Sequence, residues 1–405
     1  MIYRQKLLDA LTARRGEFVG FEREWRAEVE RGARALLRLG ERNSLEVRAE
    51  LGERAAPGAI PSDELERLRR VVVPFAARWR SHDQARRWAQ EALFNRVTFA
   101  ADGSQILPGR EISLPVAGVQ AASFLNRHTR DGGYTKDARF EVIMPGELLE
   151  GDAPGAGSPE AVVSLRRFEL EVRTVRDFLE ASRGWQERGE RTPVAFFDGT
   201  LLISHARPRN RVQDKYVGAV VELVRLSRET RVPVVGYIDQ SYARDLVNLL
   251  DVLQARERHR SAVYDAQLLR APLGDALPPL LATWGARTVF FYCLREGLPE
   301  DFRDEQGDSL VGFVYLQTTG DGHPARLDVP SWVYEAGLLE DVLDAVRAEC
   351  VVGNGYPYAL ETADAAAVVT AQDRALFLRL VQEFAEEAGL AFRVSRKALS
   401  KAHRR

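Results

Sequence analysis

Residues 193–202 read PVAFFDGTLL, an apolar run that stops abruptly at Asp198-Gly199. A strand with no polar alternation is covered on both faces, and covering both faces of a sheet takes helices on each side. A second run of the same kind, VPVVGYI at 232–238, predicts another buried strand. A helix over about 211–229 separates the two, and another runs from Gln240 or Ser241 to about Arg256. This alternation predicts an α/β sheet.

The chain upstream predicts the other half of that sheet. RVTFAADGSQI (96–106) reads as a strand ending in a tight Asp-Gly turn. SLPVAGVQAASFL (113–125) and DARFEVIMP (137–145) read as two more strands, spaced as an antiparallel meander. A Gly-, Pro- and Ala-rich loop then leads into a helix over 159–182. Downstream, RTVFFYCL (287–294), LVGFVYLQTT (310–319) and ARLDVP (325–330) predict further strands. Helices over 333–348 and 363–388 follow, then a short strand, LAFRVS, at 390–395. Three meandering strands, a helix, then alternating strands and helices give an RNase H-like mixed sheet flanked by helices. This domain is expected over 96–395.

Residues 1–95 read as a charged helical extension, with apolar positions at helical spacing in Leu7, Leu8, Leu11, Leu36, Leu37 and Leu39. The stretch AAPGAIPSDE (55–64) is a break, with Ser62 as an N-cap ahead of an acidic first turn. A second helix over 63–94, broken at Pro74, predicts a helical hairpin suited to dimerisation, a partner or DNA. Residues 396–405 form a basic tail carrying Arg396, Lys397, Lys401, Arg404 and Arg405.

Composition bounds the partners. The 405 residues are 45% hydrophobic, enough for one large core or two smaller ones. A net charge of −2 argues against a generally basic surface, yet an enzyme acting on nucleic acid needs only a local basic groove. No run of ~20 apolar residues predicts a membrane span, and the charged N-terminus does not read as a signal peptide. The two cysteines, Cys293 and Cys350, form no CxxC, which fits a reducing cytoplasm.

The chemistry is carried by acidic residues. Asp102 in AADGSQI and Asp198 in VAFFDGTL share one local setting: an apolar strand followed by Asp-Gly and a hydroxyl residue. In an RNase H-like sheet the first and fourth strands are neighbours, so these carboxylates would face one another. Oxygen donors of this kind suit Mg²⁺ or Mn²⁺, and two such ions can clamp the attacking and leaving oxygens of a phosphodiester. The helix between the strands must add a glutamate. Glu171 borders its buried stripe through Phe168 and Val175, and Glu169 borders it through Leu165 and Val172. Asp364 follows GNGYPYALETA and reads as first-turn residue of a helix starting near Thr362, either a dipole-favoured acid or a last ligand. Arg209, Arg211, Lys215 and Tyr216 predict a phosphate-contacting rim, and Tyr237 or Tyr356 a base-stacking ring.

Taken in order, ADGSQI, the pair Arg167 and Glu171 on one helix, FFDGTL, VPVVGYID and GYPYALETAD resemble the NurA family of DNA-end-processing nucleases. The resemblance covers about residues 97–395. It implies that Asp102 and Asp198 bind metal, with Glu171 (or Glu169) as the helix glutamate. Asp364 stands where many members carry a His, a departure that keeps a hard ligand but changes the proton chemistry. It also implies Mn²⁺ as cofactor (with Mg²⁺ as substitute, two ions in all), 5′→3′ exonuclease and single-stranded endonuclease activity, and a homodimer. The implied partner is HerA, a hexameric ATPase, and the implied role is double-strand break repair. No P-loop pattern G-x-x-x-x-G-K-[ST] occurs, so energy for translocation would come from that partner. The rival readings are a non-catalytic DNA-binding or adaptor subunit of the same fold, and a glycoside hydrolase with paired carboxylates.

Overall fold

The computed structural model describes residues 2–52, 56–109, 115–150, 158–203, 211–255, 262–273 and 278–390. These divide into two compact units. One comprises Trp79–Tyr237, Gly297–Val311 and Asp328–Arg405 and carries all the acidic motifs; the other comprises Met1–Arg78, Ile238–Glu296 and Gly312–Leu327.

In the motif-bearing unit the strands are β1 (Thr98–Ile106), β2 (Ala117–Asn126), β3 (Tyr134–Ile143), β4 (Val194–Asp198) and β5 (Val234–Ile238). β1, β2 and β3 form the expected antiparallel meander. β4 pairs parallel to β1, and β5 parallel to β4. The order is therefore β5-β4-β1-β2-β3, a mixed sheet of RNase H-like topology. The β4 run VAFF is buried throughout, as its unbroken apolar character requires.

Helix α1 (Pro159–Ala181) starts where Ser158 Oγ accepts from Ala161 N, with Pro159 inside the first turn. Its apolar stripe buries Leu165, Val172, Val175, Phe178 and Leu179. The Phe178 ring stacks on Phe99 of β1 at 4.5 Å. Val163 and Leu170 close a second cluster with Ala117, Val119 and Ala121 of β2. Helix α2 (Arg211–Thr230) lies beside α1, linked by the Arg176–Glu222 ion pair at 2.9 Å.

Helices α3 (Leu339–Val352) and α4 (Tyr358–Ala367) are joined by a turn through Asn354 and Gly355, both at positive φ. The buried Glu349 fixes this turn to the sheet. Its Oε1 accepts from Thr98 Oγ1 at 2.8 Å, and its Oε2 accepts from Ala359 N, in the first turn of α4, at 2.9 Å. At the other end of α4, Ser104 Oγ donates to Ala367 O at 2.5 Å. Helix α4 is thus tied to β1 at both ends. Arg96, just before β1, is 1% exposed and donates to both Asp341 carboxylate oxygens and to Thr192 O.

In the other unit, a strand at Gly58–Pro61 pairs antiparallel with Phe291–Leu294, and Val72–Val73 pairs with Arg287–Thr288. The first 95 residues are therefore not a helical hairpin. Among the described residues helix occupies Arg4–Ala13, Arg15–Leu39 and Ser44–Leu51, then only Glu64–Leu68 and His82–Leu93. The break around Pro57 is a sheet strand, because GAIP is buried against Phe291–Leu294 and Glu64 is held by two bonds from Arg287, at 2.7 and 2.8 Å. Within the helix expected over 63–94, Val72 and Val73 pair with Thr288 and Arg287 instead, and tertiary pairing overrides the local pattern.

Smaller differences have local causes. The run 287–294 makes two short strands, the helix expected over 333–348 is Ser331–Glu335 plus α3, and that over 363–388 is α4 plus α5 (Ala371–Glu387). Thr370 caps α5 with its own capping box, which separates it from α4. The strand expected from 390 and the basic tail lie outside the described residues. Among the described residues no helix is long and apolar enough to cross a membrane. Cys293 and Cys350 are buried free thiols.

Candidate active site

β1 and β4 run in register from Thr98↔Val194 to Ala101↔Phe197. Asp102 and Asp198 are the next residues on each strand, and there β4 ends. Two carboxylates therefore stand side by side at the point where β1 loses its parallel neighbour. Asp198 is followed by Gly199 at φ 115°, and the loop beyond is held by the buried Asp328, which accepts from Thr200 Oγ1 at 2.6 Å and Leu201 N at 3.2 Å. Gly236 on β5 leaves room for this loop, since a Cβ there would stand 2.6 Å from Gly199 O.

Asp102-Gly103 is not a turn. β1 continues through it to Ile106, with Asp102 opposite Ala122 and Gly103 opposite Ala121. The glycine has a different purpose: a Cβ at position 103 would lie 2.9 Å from Arg167 Cγ and 3.2 Å from Glu171 Oε2. It lets α1 bring both side chains against the strand.

Four carboxylates converge. Glu171 is 3% exposed, and burial pushes its pKa up to about 8, opposed by Arg167 and reinforced by the charges of Asp102 and Asp198. Asp102 is pushed up to about 6, first by burial and then by Asp198 and Asp364, while the backbone N–H of Gly103 works the other way. Asp364 also shares a hydrogen bond with Asp102. Asp198 is raised by desolvation and by Asp364, against a hydrogen bond from Tyr356 and the charge of Arg167. Asp364 lies in the second turn of α4, not in the first, because the helix begins at Tyr358. The helix dipole therefore does not explain it.

Glu169 does not join this group. It sits on the Tyr216 side of α1: the tyrosine pKa is raised first by burial, with Arg167 opposing and the Glu169 charge adding to the rise. Tyr216 packs its ring on Phe168 at 4.8 Å and is half-buried, whereas Arg211 and Lys215 are exposed on the first turns of α2. Arg209 lies outside the described residues. Tyr356 reaches the cluster as a hydrogen-bond donor, its hydroxyl 3.3 Å from Asp198 Oδ1. Tyr237, 1% exposed, is core: its hydroxyl donates to Gly355 O, and its ring meets Tyr356 edge-on.

The donor set fits a hard divalent cation in kind: every group is a carboxylate. Three of the four hold protons more tightly than usual, first because burial disfavours their charged form and then because neighbouring carboxylates add repulsion. Among the described residues no three acidic, His or Cys side chains already form a closed ligand cage. A cation would have to draw these carboxylates inward.

The sequence singles out Asp102 and Asp198, leaves Glu171 beside Glu169, and leaves Asp364 between a dipole-favoured acid and a ligand. Arg167 is visible there only as part of a motif, Asp328 carries no signal, and the hydrogen bond from Tyr356 to Asp198 has no sequence signal either. Gly103 was visible, with the wrong reason attached.

A mixed β5-β4-β1-β2-β3 sheet with carboxylates meeting at the β1–β4 junction defines an RNase H-like nuclease. The chain belongs to the NurA family, whose domain model matches residues 96–369. Among solved structures it is similar to NurA with manganese, at 10% identity and a TM-score of 0.40, covering 71% of this chain and 89% of that one. NurA bound to dAMP and manganese matches at 13% identity and a TM-score of 0.31, covering 68% and 85%. The catalytic domain of human Endonuclease V matches at 14% and 0.30, covering 76% and 96%. No curated protein matches the chain.

Proposed function

We propose that this protein is a divalent-metal-dependent deoxyribonuclease that processes DNA ends in double-strand break repair. It acts as a 5′→3′ exonuclease and as an endonuclease on single strands, in the cytoplasm, as a homodimer working with a HerA-type ATPase. The observation that carries the reading is the adjacency of Asp102 and Asp198 at the end of the β1–β4 ladder, with Glu171 feeling both their charges and Asp364 acting on both.

Asp102, Asp198, Glu171 and Asp364 would hold two ions, Mn²⁺ or Mg²⁺. Ions bound there supply a lowered pKa for water and neutralise charge on the reacting phosphate. The chain supplies the rest. Tyr356 orients Asp198. Glu349 and Ser104 fix α4 so that Asp364 faces Asp102. Glu171 is the most buried of the four. Arg211, Lys215 and Tyr216 lie in the first two turns of α2, where Tyr216 meets Phe168 of α1, and would guide the strand.

The test is cleavage of end-labelled single-stranded DNA by the full chain with Mn²⁺, Mg²⁺ or EDTA, comparing wild type with Asp102→Asn. Cleavage that needs the metal and disappears in the variant supports the reading. Absence of cleavage under every metal, with the partner ATPase also supplied, would instead favour a DNA-binding adaptor.

A further inference from the structure

The Arg167 guanidinium is held in an unusual way for a residue on a solvated helix face. Its stem lies across Gly103, at the one type of residue that leaves room for it. Its Nη1 donates to Gly103 O at 3.0 Å, beyond the last β4 pairing, and approaches Glu171 Oε2 at 3.4 Å. One nitrogen therefore anchors the side chain to the strand that carries Asp102. Among the described residues, Nε and Nη2 make no hydrogen bond. These two form the edge of a guanidinium that matches two oxygens of a phosphate. The side chain is 32% exposed, and its charge reaches Glu171, Asp198 and Tyr216 alike. It therefore acts on the carboxylate cluster and on Tyr216 of the predicted strand-guiding rim.

We propose that Arg167 is a substrate-binding residue: anchored through Nη1 on Gly103, it offers its Nε/Nη2 edge to a phosphodiester of the bound DNA strand. The proposal rests on the nuclease reading of the site and adds a residue to it. A cation is needed there for a simple reason. The cluster repels a polyanion, and Arg167 is placed to offset that repulsion before any metal binds. Arginine, unlike lysine, can hold the strand carbonyl and the phosphate at once, because its donors point in fixed and different directions.

The experiment is fluorescence anisotropy of a labelled single-stranded oligonucleotide with the full chain in EDTA, over a range of salt, for wild type, Arg167→Met and Arg167→Lys. Loss of a charge-assisted bidentate contact weakens binding by roughly tenfold in Arg167→Met and lowers the salt slope by about one. Arg167→Lys restores the salt slope but recovers only part of the affinity. In Mn²⁺, Arg167→Met raises KM by a larger factor than it lowers kcat. If Arg167→Met melts early, Arg167→Lys, which can still reach the Gly103 carbonyl, carries the comparison. Arg167→Met binding with wild-type affinity and slope overturns the proposal, as does Arg167→Lys equalling wild type in both. Failure of the wild type itself to bind any oligonucleotide would be a different result, overturning the nuclease reading and this one with it.

Discussion

The hydroxyl of Tyr356 donates to Oδ1 of Asp198 across 3.3 Å, joining the α3–α4 turn to the end of β4. That bond opposes the burial and like-charge repulsion that raise the Asp198 pKa. In Tyr356→Phe the ring keeps its edge-on contact with Tyr237 while the bond is lost. A hydrogen bond to a charged group contributes about 1.5–3 kcal/mol, so cleavage should fall by roughly ten- to a hundredfold at most. The acid limb of the pH–rate profile should move to higher pH, since Asp198 then holds its proton longer. A profile superimposable on wild type would remove Tyr356 from the site.

Glu171 and Glu169 are two residues apart on one helix, and Glu171 is buried and feels the charges of Asp102 and Asp198. Glu171→Gln should reduce cleavage at least a hundredfold, on the order of what loss of a metal ligand or its support costs. Glu169→Gln should stay within about twofold, as a surface change does. The reverse ranking in a single-turnover assay would reassign the helix glutamate.

Gly103 leaves no space for a methyl group. Gly103→Ala should preserve the far-UV circular dichroism of the sheet and helices while cutting cleavage tenfold or more, an order-of-magnitude expectation for displaced site groups. Arg167 and Glu171 would both have to retreat. An alanine variant with full activity would show that α1 can give way without consequence.

Cation binding should release protons. Glu171, raised to about 8, is largely protonated at pH 7, whereas Asp102, at about 6, is largely ionised. Carboxylates must be ionised to act as ligands, so Mn²⁺ binding at pH 7 should free roughly one proton and tighten between pH 6 and 8. Calorimetric titration in two buffers of different ionisation enthalpy reads this directly. Identical heats in both would contradict it.

In the other unit, Asp265 is fully buried and pushed up to about 7, by burial first and then by Asp245. It accepts from Leu246 N, Val247 N and Tyr315 Oη, and Asp245 is itself paired with Arg295 and Arg326. An unfolded aspartate loses its proton near ~4, so between about pH 4 and 7 the native state binds the extra proton. Stability from this group is therefore greatest at low pH, falls as pH rises through that window and is level above it. Asp265→Asn should abolish this component, so the difference in urea midpoint between wild type and variant should change across pH 4–7. A constant difference would refute the assignment.

The sequence by itself determined the sheet order around the site and marked the two strand acids, Asp102 and Asp198, while Asp364 stayed between a dipole-favoured acid and a ligand. VAFF can only be a strand buried on both faces, and the two Asp-Gly motifs mark equivalent positions on β1 and β4 because the apolar runs before them are the paired segments. The stripe on α1 narrowed the glutamate to two positions, since helical period fixes which residues border a buried face. Tertiary structure decided the rest. Whether Asp102-Gly103 turns or continues depends on β2, which pairs through to Ile106 and keeps β1 extended. Choosing Glu171 over Glu169 depends on which side of the stripe meets the end of β4, a matter of helix rotation on the sheet. Residues 58–61 became a strand only because Phe291–Leu294, more than two hundred positions away, offers its backbone. Local pattern reports burial and period. It carries no information about a partner that the chain brings back from far along its length, and such partners fixed Arg167 on Gly103, Asp364 opposite Asp102, and Tyr356 on Asp198.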